Sequence, residues 1–260
     1  MSKEFYDSHT NFSGRTLTEY YISPGIHCKF NTIMKKLCKM KFMCGLVIGC
    51  SGDSILAFMH NVSHKIYIDL AHRPLMQFRH FDSNFSINHS VCGSITDIPI
   101  LKNGFDIIFA LDVLEHIEND DLAAASLIEV LRPGGLLVIT VPHRMKYYMG
   151  QDRICGHFRR YEYSEIKNLI EKHGMKELMV FPVYGQLMKV QTVQEKDPKG
   201  TEEALNNLRM KYETDVKFKA VWDVVVNIGA KIMEWDAKYV PFDKTMDICL
   251  IFRKPLSKSH

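Results

Sequence analysis

The residues best placed to do chemistry are Gly49 and Asp69. Gly49 stands in the run Leu46-Val-Ile-Gly-Cys-Ser-Gly-Asp-Ser54, where a short apolar stretch ends. Asp69 closes a second apolar stretch, Ile66-Tyr-Ile-Asp-Leu70, 20 residues further on. Between them, Ile55 to about Asn61 reads as helical. A strand, a glycine turn, a helix and a strand ending in an acid make up a βαβ unit that holds an adenosine. The turn lets backbone N–H groups approach the ligand, and the carboxylate accepts hydrogen bonds from the two ribose hydroxyls. The loop reads G-x-S-x-x-S, so Ser51 puts a side chain where a pyrophosphate needs close backbone approach. A ligand without phosphates tolerates this better. On the loop alone, an ordinary strand–turn–helix fits equally well.

The elements that must position these residues come next in the chain. Phe105-Asp-Ile-Ile-Phe-Ala-Leu111 reads as a third buried strand and runs into Asp112-Val-Leu-Glu-His-Ile117. The acidic Glu118-Asn-Asp-Asp121 opens a helix that continues through Leu131, and Arg132-Pro-Gly-Gly135 stops it. Leu136-Leu-Val-Ile-Thr-Val-Pro142 is then a fourth strand. The series resembles the class I S-adenosylmethionine-dependent methyltransferases, small-molecule type. The resemblance rests on Ile48-Gly-Cys50, Ile68-Asp-Leu70, Asp97-Ile-Pro99, Phe105-Asp106, Leu111 with Val113-Leu-Glu-His116, and Leu131-Arg-Pro-Gly-Gly-Leu136, in this order. Gly156-His-Phe-Arg-Arg-Tyr161, Ser164-Glu-Ile and Lys172-His-Gly-Met175 resemble the segment after the fourth core strand in the small-molecule and lipid- or sugar-modifying branch.

The resemblance implies an α/β fold with a doubly wound, mostly parallel seven-stranded sheet. This is the Rossmann-like methyltransferase fold, with an antiparallel last strand and a helical insertion before it. It implies S-adenosyl-L-methionine as cofactor and S-adenosyl-L-homocysteine as product. The implied cofactor contacts are Gly49, Cys50, Ser51, Gly52, Asp69, Leu70, Ser94, Ile95, Leu111, Asp112 and His116. Three positions depart from the family pattern. Val47 replaces an acid, Ser51 replaces the second glycine, and Ser94 replaces an acid near the adenine. The third glycine falls at Asp53 without a gap, or at Gly52 in a shorter loop that keeps the usual distance to Asp69.

On the acceptor side, His116 and His143 follow the third and fourth core strands, where an imidazole can act as a base near neutral pH. His116 equally suits a packing role. His157, Arg159, Arg160 and Tyr161 could bind an anionic acceptor, because the guanidinium forks onto carboxylate or phosphate. A loop-to-helix junction tied by salt bridges suits them as well. Tyr147 and Tyr148 are pocket walls or surface aromatics, and Tyr6, Tyr20 and Tyr21 could close over the cofactor. The expected reaction is in-line methyl transfer to a small, lipid- or sugar-like acceptor. Positioning alone can supply ~7–11 kcal/mol of such a barrier. Two other classes stay open: an adenosyl-binding protein without turnover, and an NAD-dependent oxidoreductase. The serine loop and the lack of a second phosphate-binding turn count against the oxidoreductase.

Composition bounds the remainder. The 260 residues, 46% hydrophobic, can bury a large core without disulfides. A net charge of +3 from 33 basic and 30 acidic side chains gives no footprint for nucleic acid. None of the seven cysteines forms C-x-x-C, which suits buried thiols in a reducing cytoplasm. The twelve histidines show neither H-E-x-x-H nor a tight cluster, so no metal is expected. There is no signal-peptide core at the start and no stretch of the roughly 20 apolar residues that a membrane span needs. A monomer or homodimer is expected, with peripheral membrane contact open.

The chain reads as one domain in four parts: a helical cap over 1–40, a core over 41–185, a helical insertion over 186–244, and a last strand and tail over 245–260. Phe30 to Met40 is expected as a helix, Val91-Cys92 as a weak extra strand, Ser164 as a helix N-cap with Gly174 as its stop, and Asp197-Pro-Lys-Gly200 as a breaker. Val221, Val225, Ile228, Ile232, Trp235 and Tyr239 form an apolar stripe at helical spacing, expected to pack on its own domain. With the segment from Tyr147 to Tyr161, this helix is expected to form the acceptor side.

Overall fold

A computed structural model describes residues 15–51, 54–78, 87–100, 102–189 and 197–256. Tyr6, Gly52 and Asp53, all named above, lie outside the described residues. The strands are β1 (Phe42–Ile48), β2 (Val62–Asp69), β3 (Ile87–Cys92), β4 (Phe105–Leu111), β5 (Leu131–Pro142), β6 (Lys176–Tyr184) and β7 (Asp247–Arg253). The helices among the described residues are α1 (Glu19–Ile22), α2 (Pro24–Leu37), α3 (Ile55–Phe58), α4 (His72–Leu75), α5 (Asp120–Val130), α6 (Gly150–Cys155), α7 (Tyr163–Glu171), α8 (Pro198–Thr214) and α9 (Val216–Tyr239).

The seven strands form one sheet in the order β3-β2-β1-β4-β5-β7-β6. β1 to β5 pair in parallel, and β7 runs antiparallel to both β5 and β6. β4 is buried along almost its whole length, as a central parallel strand covered on both faces should be. One buried apolar layer holds Leu46, Ile108, Leu127 and Ile166; the other holds Ile33, Val47, Phe109 and Val138. Asp106 is a buried acid inside β4. It accepts from Met43 N at 2.5 Å and Cys44 N at 2.8 Å and pairs with Arg132 at 2.5 Å, so it clamps the start of β1 to the β5 entry.

Several local expectations shift. α2 starts at Pro24, ahead of Phe30, because Ser23 caps Ile26 N and proline suits the first helical turn. α3 ends at Phe58, before Asn61. The weak strand at Val91-Cys92 extends back to Ile87 and pairs with β2. α7 begins one residue before Ser164. Its start is a capping box in which Glu165 accepts from Glu162 N at 2.9 Å. Gly174, at φ +83°, follows its end. Asp197-Pro-Lys-Gly200 starts a helix instead of breaking one. Asp197 accepts from Gly200 N at 2.9 Å, and Pro198 occupies the first turn of α8, where its missing N–H costs nothing.

The largest correction concerns α9. Its predicted stripe faces solvent: Val221, Val225, Ile228, Ile232, Trp235 and Tyr239 are 43–64% exposed. The helix packs through Val226, Ala230 and Ala237 instead, with Gly229 close against Pro24 of α2. Small residues allow that approach, and polar anchors complete it. Trp222 Nε1 donates to Ile22 O at 3.2 Å, and Lys35 pairs with Glu234 at 2.8 Å. No helix among the described residues is long and apolar enough to cross a membrane.

Candidate active site

A cavity of ≈ 340 Å³ opens at the carboxyl ends of β1 and β4, where ligands bind in open α/β sheets. Its floor is the turn after β1. Gly49 takes φ +69°, which suits glycine, and a Cβ there would stand 2.7 Å from Val113. Ser51 takes φ +45°, so the serine that replaces a glycine keeps a left-handed backbone. Gly49, Cys50 and Ser51 all line the cavity. Asp69 stands immediately behind them. Its Oδ2 accepts from Ser51 N at 3.0 Å and its Oδ1 from Ala71 N at 2.9 Å. A glycine turn with backbone facing a cavity, backed by an acid at the end of the next strand, is a donor set that fits an adenosyl group. Val47, where the family pattern has an acid, is buried in the apolar layer.

The wall beyond the end of β4 is polar and buried. Lys29, on the buried face of α2, pairs with Asp112 and lies 3.6 Å from Asp247 at the start of β7. Asp112 also accepts from Thr140 Oγ1 at 2.6 Å and shares a hydrogen bond with Asp247. Burial opposes every charge here. It is outweighed at Lys29 by Asp112, Tyr184 and Asp247, which hold the ammonium well above its ordinary range. Burial is outweighed at Asp112 by Lys29, which keeps that carboxyl low. It prevails at Asp247, where Asp112 adds to it and the carboxyl is driven well up. Within the group, Lys29 is thus held toward its ammonium, Asp112 toward its carboxylate and Asp247 toward its neutral form.

Beside it, Glu115 and His116 form the short turn after β4, with His157 facing them from the loop after α6. The His116 and His157 rings meet edge to face at 4.6 Å. Burial, then His157, push His116 down to about 3. Burial, then Asp112, push Glu115 well above the carboxylate range. His157 Nδ1 bonds Asp152 Oδ1 at 2.8 Å, and Arg160 Nε holds the same carboxylate at 2.9 and 3.0 Å. The insertion closes the cavity from above. Thr201, Leu205 and Arg209 of α8 line it, and Arg209 Nε binds Glu19 of α1 at 2.9 Å.

Of the predicted site residues, Gly49, Cys50, Ser51, Leu111, Asp112, His116, His157 and Arg160 come together around this cavity. The others do not line it. His143 is buried, with Nδ1 on Thr245 Oγ1 at 2.7 Å, and ties β5 to the start of β7; burial and Arg144 push it down to about 4. Arg159 reaches Asp120 at 2.7 Å and Glu118 O at 2.8 Å. The Tyr161 hydroxyl is buried between Leu114 O and Asp120. Ser94 bonds Thr96, Ile95 is in the core, Leu70 O accepts from Cys92, and Tyr147 packs under Lys146 and Lys189. Tyr20 stacks on Phe58 at 4.1 Å and Tyr21 on Tyr212 at 6.2 Å. Of the two insertion helices, α8 lines the cavity and the apolar stripe of α9 does not.

Residues 46–139 match a family model described as a methyltransferase domain. A curated protein of Mycolicibacterium smegmatis, described as a probable S-adenosylmethionine-dependent methyltransferase, is 26% identical over 86 residues, which is 32% of this chain. The chain spans about a third of that relative's length, 34%. Three solved structures share the fold. N-methyltransferase NodS of Bradyrhizobium japonicum, in complex with S-adenosylhomocysteine, has TM-score 0.62 and 15% identity, over 96% of this chain and 98% of that one. Phosphoethanolamine N-methyltransferase 2 of Haemonchus contortus, in complex with S-adenosylmethionine, has TM-score 0.63 and 16% identity, over 97% of this chain and 60% of that one. The [4+2]-cyclase SpnF has TM-score 0.57 and 17% identity, over 88% of this chain and 80% of that one. With the glycine turn, the acid of β2 and the sheet order in place, the chain has the Rossmann-like fold of these methyltransferase structures, and its residues 46–139 are similar to the methyltransferase domain.

Proposed function

We propose that this protein transfers a methyl group from S-adenosylmethionine to a small-molecule acceptor held in the cavity between the Gly49 turn and α8. The observation that carries the reading is the juxtaposition in one cavity of the Gly49–Ser51 turn and the polar wall after β4. When bound, S-adenosylmethionine supplies a methyl group already activated on a sulfonium. The chain's part is to hold the acceptor in line and exclude water. Asp69 and the turn hold the adenosyl end. Lys29, Asp112 and Asp247 present one ammonium and one carboxylate to polar groups nearby. Arg160 and Asp152 orient His157, and α8 with α1 covers the opening. A cavity of ≈ 340 Å³ falls in the size range of small-molecule sites, which supports a small acceptor.

The test is a thermal shift with S-adenosylhomocysteine and with NAD, followed by mass spectrometry of a broad acceptor panel with S-adenosylmethionine. Stabilisation by S-adenosylhomocysteine alone and a one-methyl mass gain on a panel member are the expected results. Stabilisation by NAD alone would overturn the reading. A second reading, cofactor binding without turnover, is favoured by Val47, Ser51 and Ser94 at the altered positions. Binding with no product across the panel would favour it.

A further inference from the structure

Glu115 poses a problem that hydrogen bonding among the described residues does not solve. It is 0% exposed, and neither carboxylate oxygen has a hydrogen-bond partner among the described residues. Sequestering such a group unsatisfied costs several kcal/mol in an ordinary protein interior. One ligand atom from Glu115, one from His116 and one from His157 all lie within 4.8 Å of one another. We propose that these three residues form a divalent-metal site that opens into the cavity and binds the acceptor's oxygen.

The surroundings have the form of such a site. Metal-binding histidines are oriented by a second acceptor on the ring nitrogen that does not face the metal. His157 places Nδ1 on Asp152, a carboxylate that is itself buried and fixed by Arg160 and by Met149 N at 2.7 Å. Donation by Nδ1–H to this carboxylate leaves the lone pair of His157 on Nε2. The His116 ring is held by the backbone of Gly156. The two segments are joined directly, since Phe158 N donates to Glu115 O at 2.7 Å. Two imidazoles and one carboxylate, with the remaining positions open, suit Mn(II), Fe(II), Co(II) or Zn(II) better than Ca(II) or Mg(II). The expectation that no metal binds rested on adjacent motifs, whereas His157 comes from a distant loop.

The metal's role rests on the methyl-transfer reading; the site itself does not. A cation here lowers the pKa of a bound hydroxyl. The inferred acceptor is therefore an alcohol or phenol. Its O–H proton passes to water, and the freed oxygen lone pair forms the new C–O bond. The C–S bond breaks with its electron pair on sulfur, which neutralises the sulfonium.

The experiment uses the full chain after chelation and dialysis. CoCl2 is titrated alone, with visible absorption and calorimetry as readouts, and MnCl2 is titrated in parallel by calorimetry. One equivalent of Co(II) with ligand-field bands is expected in the wild type. Glu115→Gln and, as a variant in a half-buried loop, His157→Asn should each lose at least tenfold in affinity. Asp152→Asn should lose about 10–100-fold through misorientation of His157. Thermal stabilisation by S-adenosylhomocysteine reports that each variant is folded. Absence of Co(II) and Mn(II) binding in the wild type, or wild-type affinity in all three variants, would overturn the site. S-adenosylhomocysteine binding without metal binding would refute the site alone; metal binding without S-adenosylhomocysteine binding would refute the methyl-transfer reading alone.

Discussion

Asp69 Oδ2 accepts the backbone N–H of Ser51 at 3.0 Å, so the acid at the end of β2 and the turn after β1 form one unit. Asp69→Ala is expected to weaken S-adenosylhomocysteine binding by about 1.5–3 kcal/mol, the worth of hydrogen bonds to a charged acceptor. It should also lower the melting temperature, because the turn loses its anchor. Calorimetry that found unchanged affinity in the folded variant would remove Asp69 from the cofactor site.

Ser51 holds φ +45°. A left-handed backbone costs a side-chain-bearing residue about 1–2 kcal/mol, against about 0.5–1 kcal/mol for the added chain entropy of glycine. Ser51→Gly should therefore stabilise the protein by about 0.5–1 kcal/mol and leave cofactor affinity no weaker. Urea unfolding with and without S-adenosylhomocysteine checks both.

Lys29 is the ammonium against which Asp112 stays ionised. Lys29→Met leaves a buried carboxylate uncompensated, at a cost of about 3–5 kcal/mol. Adding Asp112→Asn to it should recover much of that loss. A single variant as stable as wild type would contradict the charge assignment.

Asp247 should leave a pH signature. Its folded pKa is raised, so between the unfolded value of about 3.9 and the folded value the native state binds the extra proton. Its contribution is complete below about pH 4 and is lost as pH rises toward the folded pKa. Asp112, held low, acts in the opposite direction: its contribution is present above its unfolded value and is lost as pH falls through the folded one. Asp247→Asn should remove the decline on the rising side and cost little at pH 4. Chemical unfolding at a series of pH values reads both slopes.

The two faces of α9 should respond oppositely. Ile232→Ser, on the exposed stripe, is expected to change stability by less than about 0.5 kcal/mol. Ala230→Leu, on the buried face, should cost about 1–3 kcal/mol by overpacking. Thermal melts of the pair distinguish the faces.

That last contrast shows where sequence reading stopped. Helical spacing identified the stripe at Val221 to Tyr239 but not which side the domain would bury. Small residues such as Gly229 and Ala230 carry little hydrophobic signal, yet they lie on the packed side, with Gly229 close against Pro24 of α2. The core strands, the glycine turn and Asp69 were legible because their signals are local: apolar runs, a turn, an acid at a fixed separation. Lys29, Asp247 and Arg209 were not, since each becomes meaningful only through partners far along the chain. Lys29 left one trace, a charge on the buried side of a helix. Asp247 left another, an acid at the mouth of a wholly apolar strand. His143 looked like a base from its place after Pro142, but its ring is spent on Thr245.

The strand order also sets a timetable. β6 pairs only with β7, and β7 fills the place between β5 and β6 although it comes last. On the ribosome, β5 and β6 are made well before their common partner. The roughly 60 residues from Tyr184 to Asp247, at about 5–20 residues per second, take several seconds to emerge. Throughout that interval the edge of β5 beside Val138 and Val141 is open, with nothing yet made to pair it. A nascent chain halted before Asp247 should therefore engage holdase chaperones, and one released after Arg253 should not.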